Sequence, residues 1–345
     1  MTASGSAFID ACLRKETEYT PVWFMRQAGR FLPSYRKIKG GRGVLDIAKD
    51  PKTAPLVVEN AVDELGVDAA IIYSDIMLPM EAIGVSLEIR ENVGPVILKP
   101  VRTPADVAAL GSLDPAVDMV YLGDVIQETL RRLDGSVPLI GFSGAPFTLA
   151  AYLLEGGPSR DLRTTKKVMH SDPDLWRALM VKLTEAVSAF LRMQVRHGVD
   201  AVQLFDSWVG CLSASDYETH VLAYTREVFR SVEGVPRIHF CADSYPLLEK
   251  FQEAGPDVLS VDWRVPLEEV WRRCGDGMSV QGNLDPVLAQ VGGAPMTEAA
   301  AGILGMARGR RGHIFSLGHG VLPETDPANL RKLVNYVHEQ TRAPR

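Results

Sequence analysis

The chain has 345 residues, of which 46% are hydrophobic and 23% charged, and its formal net charge at pH 7 is -6. These values are typical of a globular protein with enough apolar residues for a sizeable core. The net negative charge argues against nucleic acid or an anionic membrane as a partner of the whole chain. An anionic ligand would therefore have to be bound by a local cluster of basic residues.

Composition also bears on the compartment of the protein. No run of about 18 apolar residues is present, which argues against a membrane span, and the first residues lack the apolar core of a signal peptide. The four cysteines lie too far apart for a disulfide framework or a zinc ribbon, being Cys12, Cys211, Cys241 and Cys274. We therefore expect a cytoplasmic protein without a membrane partner.

Eight short segments have the apolar or β-branched pattern of buried strands, with longer amphipathic segments between them. The predicted strands are residues 22–24, 69–73, 139–142, 201–205, 237–240, 258–261, 278–281 and 313–316. The clearest predicted helices are residues 53–65, 117–133, 174–197 and 213–232.

Alternating strands and helices in this number predict a (β/α)8 TIM barrel. A doubly wound parallel sheet is the alternative architecture. Length alone would suit about two domains, but α/β barrels of this size commonly form one. Because no low-complexity linker or composition break interrupts the chain, we expect a single domain over residues 1–345.

In a (β/α)8 barrel the active site lies at the C-terminal ends of the strands. Nearly every predicted strand is followed by polar or glycine-rich residues. In strand order these are Arg26, Gln27 and Arg30; Ser74 and Asp75; Ser143 and Gly144; Asp206, Ser207 and Trp208; Cys241, Asp243 and Ser244; Asp262; Gly282 and Asn283; and Gly318, His319 and Gly320. Turns need polar residues and glycine, but they do not need two arginines or a histidine between two glycines.

The loop after the first predicted strand carries Arg26 and Arg30, with Gly29 between them. Their guanidinium groups are planar donors suited to carboxylate or phosphate, and glycine lets backbone approach a ligand closely. The alternative is a solvated basic loop without a ligand. On a chain of net negative charge, the cluster favours an anion-binding loop.

Asp75 lies in an apolar setting, with Ile72 and Tyr73 before it and Ile76 and Met77 after it. A carboxylate in such a setting is costly unless it is paired or used in function. It could cap a helix or pair with an arginine. At a barrel mouth it could instead accept N–H donors or stabilise a cation.

Two other side chains have a structural and a functional interpretation. His319, between two glycines where backbone can turn sharply, could shuttle a proton or donate to a substrate carboxylate, although a lone histidine is more often structural. Tyr152 falls in a short helix that Pro146 and Gly156 would begin and end. It could be core, or it could reach the pocket.

His239 and Cys241 have the His-x-Cys spacing that begins a zinc site in some barrel methyltransferases. A catalytic zinc site needs three protein ligands, and no cysteine follows near the last predicted strand. We therefore favour a structural role for the pair and predict no metal site. The sequence also lacks a Walker loop, a Gly-x-Gly-x-x-Gly after a strand and a Gly-x-Ser-x-Gly elbow.

Several segments together resemble the uroporphyrinogen decarboxylase family of the haem pathway, and the resemblance covers nearly the whole chain. The segments are Pro21-Val22-Trp23-Phe24-Met25-Arg26-Gln27-Ala28-Gly29-Arg30, Tyr73-Ser74-Asp75-Ile76, Gly144-Ala145-Pro146-Phe147-Thr148-Leu149, Glu155-Gly156-Gly157, Leu204-Phe205-Asp206-Ser207 and Leu317-Gly318-His319-Gly320. The first and the last are highly specific for that family.

The resemblance implies a cofactor-free, single-domain barrel that forms homodimers. The implied substrate is uroporphyrinogen III, a flexible macrocycle with acetate and propionate arms. The implied reaction removes carbon dioxide from each of its four acetates and leaves methyl groups, giving coproporphyrinogen III.

The site residues implied by the resemblance fall on matching positions. The substrate loop falls on Arg26, Gln27, Ala28, Gly29 and Arg30, and the central aspartate on Asp75. The pocket tyrosine, hydroxyl residue and histidine fall on Tyr152, Ser207 and His319. Asp75 and Arg26 are the residues we expect to be catalytic.

Three positions depart from the family pattern. Trp208 stands where some members have histidine, Asp206 replaces a glutamate of some relatives, and Lys39 lies near another arginine of some relatives. The expected contacts affected by these departures are at the rim of the pocket.

The residues suit this chemistry. Arginines fit a substrate with many carboxylates, and Arg26 could hold the reacting arm or help to protonate it. Decarboxylation needs an electron sink, which a pyrrole protonated on a ring carbon supplies without metal or pyridoxal phosphate. An ionised Asp75 can accept from the pyrrole N–H groups and offset the positive charge.

Two other functions remain open at this point. A corrinoid-linked methyltransferase of the related barrel superfamily would need the zinc triad, whose third ligand is missing here. A non-catalytic tetrapyrrole-binding protein would have the same pocket but would release no carbon dioxide.

Overall fold

The computed structural model describes residues 5–90, 93–243 and 245–342. Ser244, predicted to follow the fifth strand, therefore lies outside the described residues. Within them, nine strands are formed: β1 (Ala70–Ile71), β2 (Leu87–Arg90), β3 (Gly94–Ile97), β4 (Leu139–Gly144), β5 (Ala201–Asp206), β6 (Arg237–Cys241), β7 (Val258–Val261), β8 (Ser279–Gln281) and β9 (His313–Ile314).

Seven of the strands in the described ranges form one parallel sheet in the order β1-β4-β5-β6-β7-β8-β9. They correspond to seven of the eight predicted strands. All residues of β4, β6, β7 and β8 except Arg237 are buried. Such near-continuous burial is what a parallel sheet covered by helices requires.

The eighth predicted strand, residues 22–24, forms a single parallel bridge rather than a strand, between Val22 and Phe315. The amide of Phe315 donates to the carbonyl of Pro21 (2.8 Å), and the amide of Asp68 donates to the carbonyl of Val22 (2.8 Å). The segment thus joins the chain after β9 to the chain before β1. It closes the sheet into a barrel, so the doubly wound alternative is wrong.

A buried polar chain inside the barrel holds this closing segment in place. The indole of Trp23 donates to Gln281 Oε1 (2.7 Å), and Gln281 Nε2 donates to Gln203 Oε1 (3.1 Å) and Ser260 Oγ (2.8 Å). Buried polar groups are stabilising only when they are paired. Trp23 therefore has a fixed position in the closing segment, and the loop after it has a fixed starting point.

The antiparallel hairpin of β2 and β3 was not predicted. Its residues are mostly half-buried or exposed, so its sequence lacks the apolar run of a barrel strand. The amide of Ile97 donates to the carbonyl of Gly156 (2.8 Å), which fixes the hairpin against the segment after β4.

The helices of the described ranges surround the sheet, in the order α1 (Ala7–Cys12), α2 (Pro33–Lys39), α3 (Val44–Ala48), α4 (Ala54–Leu65), α5 (Leu78–Ala82), α6 (Pro104–Ala108), α7 (Pro115–Asp118), α8 (Val120–Leu133), α9 (Pro146–Glu155), α10 (Arg163–Ser171), α11 (Pro173–Arg196), α12 (Ala214–His220), α13 (Leu222–Arg230), α14 (Leu248–Glu253), α15 (Leu267–Cys274), α16 (Pro286–Val291), α17 (Gly293–Ala307) and α18 (Pro327–Thr341). Short 3-10 turns are formed at Val209–Cys211 and Tyr245–Leu247.

Two predicted helices are each divided in two. Residues 117–133 separate at Met119, because Asp114 caps a short helix that begins at Pro115. Residues 213–232 separate at Val221, whose φ of -128° does not fit a continuous helix. No helix in the described part of the chain is long and apolar enough to cross a membrane.

Candidate active site

The arginine loop, residues 26–30, follows the closing segment directly. Gln27 is buried, and both polar ends of its side chain are bonded within the fold. Its Oε1 accepts from the amide of Phe24 (3.0 Å), and its Nε2 donates to the carbonyl of Ala69 (2.9 Å) next to β1. The side chain of Gln27 thus positions the loop, while Arg26 and Arg30 are exposed.

The backbone of the loop is tightly folded at Arg26. Arg26 has a left-handed φ of 64°, which is uncommon for a residue with a side chain. A β-carbon at Gly29 would lie 2.7 Å from the carbonyl oxygen of Arg26, so glycine is required there. Gly29 therefore lets the loop fold on itself, and Ala28 lies half-buried beside it.

Asp75 follows β1 and is partly buried. Its Oδ1 accepts from the amide of Met77 (2.8 Å), which orients the carboxylate at the turn before α5. Burial raises the pKa of Asp75, while the Met77 amide and the positive charge of Arg26 lower it. The site therefore holds a carboxylate whose charge is only partly compensated by the protein.

Arg26 is the positively charged residue that acts on the pKa of Asp75. Desolvation by the surrounding protein lowers the pKa of Arg26. The positive charge of the neighbouring Arg30 also lowers it, while Tyr152 and Asp75 raise it. Arg26 therefore lies within electrostatic range of Arg30, Tyr152 and Asp75. The structure thus brings together residues that are up to 126 positions apart, from Arg26 to Tyr152.

Tyr152 on α9 is half-buried and stacks edge-on against Trp208, with ring centroids 5.8 Å apart. Burial raises the pKa of Tyr152, a hydrogen bond with Trp208 lowers it, Asp75 raises it and Arg26 lowers it. Tyr152 therefore lies within electrostatic range of Asp75 and Arg26. Trp208 lies beside it, at one of the positions where the sequence departs from the expected family pattern.

His319 is half-buried, and its ring lies edge-on against Phe240, with centroids 5.7 Å apart. The pKa of His319 is lowered to about 4, chiefly by burial and also by the charges of Arg26 and Arg264, while Asp262 acts in the opposite direction. The imidazole is therefore neutral at pH 7. It can donate or accept one hydrogen bond at each nitrogen but carries no charge there.

Gly318 and Gly320 flank His319, and neither has a positive φ, so they do not form the expected sharp turn. They instead allow neighbouring atoms to approach the backbone closely. A β-carbon at Gly318 would collide with the amide of Trp263, and one at Gly320 would lie 2.5 Å from Arg26 Cδ. The amide of Val321 also donates to the carbonyl of Met25 (2.9 Å). The histidine loop and the arginine loop are therefore packed against each other.

Ser207 is half-buried at the end of β5, between Asp206 and Trp208. Asp206 is fully buried, and its Oδ1 accepts from Thr148 Oγ1 on α9 (2.7 Å). The amide of Trp208 donates weakly to the same hydroxyl (3.4 Å). Asp206 is therefore not a rim residue, because alternation along β5 turns it toward the helices; it holds the turn that presents Ser207 and Trp208.

Thr148 belongs to this group but was not predicted as a site residue from the sequence. A buried threonine within the apolar segment Pro146-Phe147-Thr148-Leu149 was the available signal, since a hydroxyl in such a setting needs a partner. Lys39, by contrast, lies half-exposed in the last turn of α2. A cation there suits the helix C-terminus.

His239 and Cys241 are buried on β6, and the structure supports their structural role. The His239 ring packs edge-on between Phe229 and Phe251, at 5.3 and 5.1 Å, and its Nε2 lies 3.8 Å from Asp206 Oδ2. Burial raises the pKa of the Cys241 thiol well above its usual value.

Solved structures show that the barrel is shared. A methyltransferase from Methanosarcina mazei superimposes with a TM-score of 0.78 over 99% of each chain, at 17% identity. A B12-independent methionine synthase from Shewanella superimposes with a TM-score of 0.57 over 84% of this chain and 87% of that chain, at 10% identity. Identities this low establish the fold and nothing about activity.

Sequence relatives are far more similar. A Streptomyces coelicolor protein named uroporphyrinogen decarboxylase is 50% identical over 338 residues, which cover 97% of this chain and 95% of that protein. A Thermobifida fusca protein of the same name is 48% identical, covering 99% and 94%. The family model described as Uroporphyrinogen decarboxylase (URO-D) matches residues 4–340. The chain belongs to the uroporphyrinogen decarboxylase family.

Proposed function

We propose that the chain decarboxylates the four acetate arms of uroporphyrinogen III to methyl groups, giving coproporphyrinogen III in haem biosynthesis, and that Asp75 and Arg26 are its catalytic residues. The observation that carries the assignment of residues is the position of Asp75: a partly buried carboxylate with a raised pKa, within electrostatic range of Arg26 and Tyr152. A macrocycle with inward N–H groups and outward carboxylates complements this arrangement.

In this proposal the arginine loop binds the carboxylates. Arg26 and Arg30 extend from a backbone that Gln27 fixes, and their charge-assisted bonds to an arm contribute roughly 1.5–3 kcal/mol each. Ala28 and Gly29 add a small surface against which the macrocycle can lie. Because the net charge of the protein is negative, the two guanidinium groups favour the orientation in which a carboxylate arm of the substrate lies against this loop.

Asp75 acts at the centre of the macrocycle. A proton adds to the ring carbon of the pyrrole, and the resulting cation draws the electron pair of the bond to the carboxylate as carbon dioxide leaves. A second proton converts the remaining methylene to methyl, and the proton first added to the ring carbon is then lost, which restores the neutral pyrrole. The ionised Asp75 accepts from the pyrrole N–H groups and stabilises the cation throughout.

Tyr152, Ser207 and His319 supply neutral contacts around this charge pair. Because the pKa of Tyr152 is raised and that of His319 is lowered to about 4, both are uncharged at pH 7. They can donate hydrogen bonds to a carboxylate arm of the substrate, and as neutral groups they do not compete with Asp75 for the positively charged pyrrole. Trp208 and Phe240 provide flat apolar surface beside them.

The substrate's own pyrrole is the electron sink, so the proposal requires neither metal nor organic cofactor. We further propose that residues 1–345 act as one barrel domain in the cytoplasm, and as a homodimer, as the family resemblance implies. The continuous core from Phe8 to Val337 and the four free cysteines support the first two statements. Light scattering of the purified protein would test the dimer.

The deciding experiment is anaerobic incubation of the purified protein with uroporphyrinogen III, followed by oxidation and chromatography of the porphyrins. We expect products with seven, six, five and finally four carboxylates. Tight binding of uroporphyrinogen without any loss of carboxylates would contradict the proposal and favour a tetrapyrrole-binding protein.

A further inference from the structure

Three potential metal ligands meet on the surface between two helices outside the pocket. His170 lies near the end of α10, and Asp216 and His220 lie on α12. One ligand atom from each side chain lies within 4.8 Å of the other two. The distance between His170 Nε2 and Asp216 Oδ1 is 3.7 Å, and the two imidazole centroids are 5.4 Å apart.

The spacing along α12 explains part of this convergence. Asp216 and His220 are four residues apart, so the helix presents them on the same face, one turn above the other. His170 faces them from α10. The ligand set therefore comes from two helices and includes one pair whose spacing is set by helix geometry alone.

Both helices are anchored independently of the three ligands. Lys166 Nζ on α10 donates to the carbonyl of Cys211 (2.8 Å), just before α12, and the indole of Trp176 donates to the carbonyl of His220 (3.0 Å). The Ser213 hydroxyl caps α12 by accepting from the amide of Asp216 (3.0 Å). The backbone that carries the ligands is thus fixed, and only side-chain rotation is needed to gather them.

The donor set determines which metal fits. Two imidazoles and one carboxylate suit a borderline-soft divalent ion, and three protein ligands plus water complete a tetrahedral zinc site. Metal–ligand distances of about 2.0–2.2 Å would place the donors roughly 3.3 Å apart. The separation of 3.7 Å between His170 Nε2 and Asp216 Oδ1 is close to that value, and all three ligand atoms lie within 4.8 Å of one another. The exposed His170 leaves the fourth position open to solvent.

We propose that His170, Asp216 and His220 form a surface site for one Zn²⁺ ion, which cross-links α10 to α12. None of the three is a residue of the proposed pocket. The role of the ion would be structural: it would fix α10 against α12, next to the loop that carries Ser207 and Trp208. The site is independent of the decarboxylation reaction.

The test uses the untagged full chain, freed of metal with a chelator and dialysed, and Zn²⁺ alone as the probe. Competition with a chromophoric chelator should show one site in the wild type. His170→Gln and His220→Gln should weaken it at least tenfold, and Asp216→Asn should also weaken it. Zn²⁺ should raise the melting temperature of the wild type but not of the His220→Gln variant.

Two matched variants serve as controls. His197→Gln removes a half-exposed histidine and Asp174→Asn an exposed aspartate, both outside the cluster, and both should bind Zn²⁺ like the wild type. Co²⁺ should give the visible absorption bands of tetrahedral coordination in the wild type and lose them in His170→Gln. Absence of a site in the wild type, or equal Zn²⁺ affinity in the wild type and all three cluster variants, would overturn the proposal.

Discussion

The side chain of Arg26 lies across Gly320, so closely that a β-carbon at position 320 would be 2.5 Å from Arg26 Cδ and 2.8 Å from Arg26 Cγ. Arg26 comes from the loop after the closing segment and Gly320 from the loop after β9. The absence of a side chain at position 320 therefore determines where the guanidinium of Arg26 can lie.

Gly320→Ala should displace Arg26 and lower kcat/KM for uroporphyrinogen in the same direction as Arg26→Ala. Because both changes act on one guanidinium, Gly320→Ala should add little when combined with Arg26→Ala, which a double-mutant cycle measures. Gly302→Ala is the control, since that glycine is exposed in α17 and a β-carbon there would have no neighbouring atom within 4 Å. Alanine at position 302 should stabilise the helix by about 1 kcal/mol. Fully additive effects would contradict the proposed link.

Asp75→Asn should nearly abolish turnover, because a preorganised electrostatic group typically contributes about 3 kcal/mol or more to the transition state, which is at least about a hundredfold in rate. The control is Asp174→Asn, which should keep wild-type activity. A wild-type rate in Asp75→Asn would show that the central carboxylate is wrongly assigned.

The same substitution should leave the fold as stable as the wild type or more stable at neutral pH. Burial raises the pKa of Asp75, so ionising it costs more in the folded than in the unfolded chain. Its contribution to stability therefore falls as pH rises from its ordinary pKa of 3.8 through the raised value. Thermal melts at pH 7 would measure the difference.

Arg26→Ala and Arg30→Ala should each lower kcat/KM by about 1.5–3 kcal/mol, or roughly 10- to 150-fold. Partly decarboxylated intermediates should accumulate, because each arm must be bound in turn. Arg230→Ala, an exposed arginine at the end of α13, should behave like the wild type. Unchanged rates and product patterns in both loop variants would favour the solvated-loop interpretation.

His319 should titrate with a pKa of about 4, well below its usual 6.5. As pH falls from 6.5 toward 4, the unfolded chain takes up a proton that the folded chain does not, so His319 makes the fold less stable in acid. NMR of the imidazole protons would measure the pKa, and His319→Gln would separate its signal from that of His313, whose pKa burial also lowers to about 4. A midpoint near the usual value would contradict the neutral role.

Activity should survive dialysis against a strong chelator and treatment with a carbonyl reagent, because the proposed electron sink is the substrate's pyrrole. Loss on chelation that Zn²⁺ restores would favour a methyltransferase-like zinc site instead. The His170→Gln variant distinguishes the surface site from such a centre, since it should lose Zn²⁺ affinity and keep its activity.

The barrel strands could be predicted because burial on both faces makes most of them short runs rich in apolar and β-branched residues, and 258–261 was predicted with its observed bounds, Val258–Val261. Residues 22–24 have a similar composition but make only one bridge, with Phe315. The amide of Val22 donates to the side chain of Asp68, and the indole of Trp23 donates to the side chain of Gln281, rather than to a neighbouring strand. Sequence patterns record burial, not which group satisfies each amide. The β2–β3 hairpin escaped prediction because it is not fully buried.

Prediction of the site rested on residue type and on the rule that barrel sites lie at strand ends, which identified Arg26, Asp75 and His319 as candidates. It could not show that the side chain of Gln27 is bonded within the fold, to the carbonyl of Ala69, or that the side chain of Asp206 is bonded to Thr148 on α9. Both depend on the side of the backbone on which a side chain emerges, and a one-residue uncertainty in a strand reverses that side.

The closure of the barrel by Val22 and Phe315 has a consequence for the order of assembly. The arginine loop is synthesised before every strand of the sheet, yet the segment that carries it has no partner from the sheet's far edge until residue 315 has left the ribosome. Contacts this distant in sequence form late, because their loop-closure entropy must be met first. During translation the nascent chain should therefore acquire its proposed anion-binding surface only after residue 315 has emerged, so that chains shorter than this do not sequester the substrate.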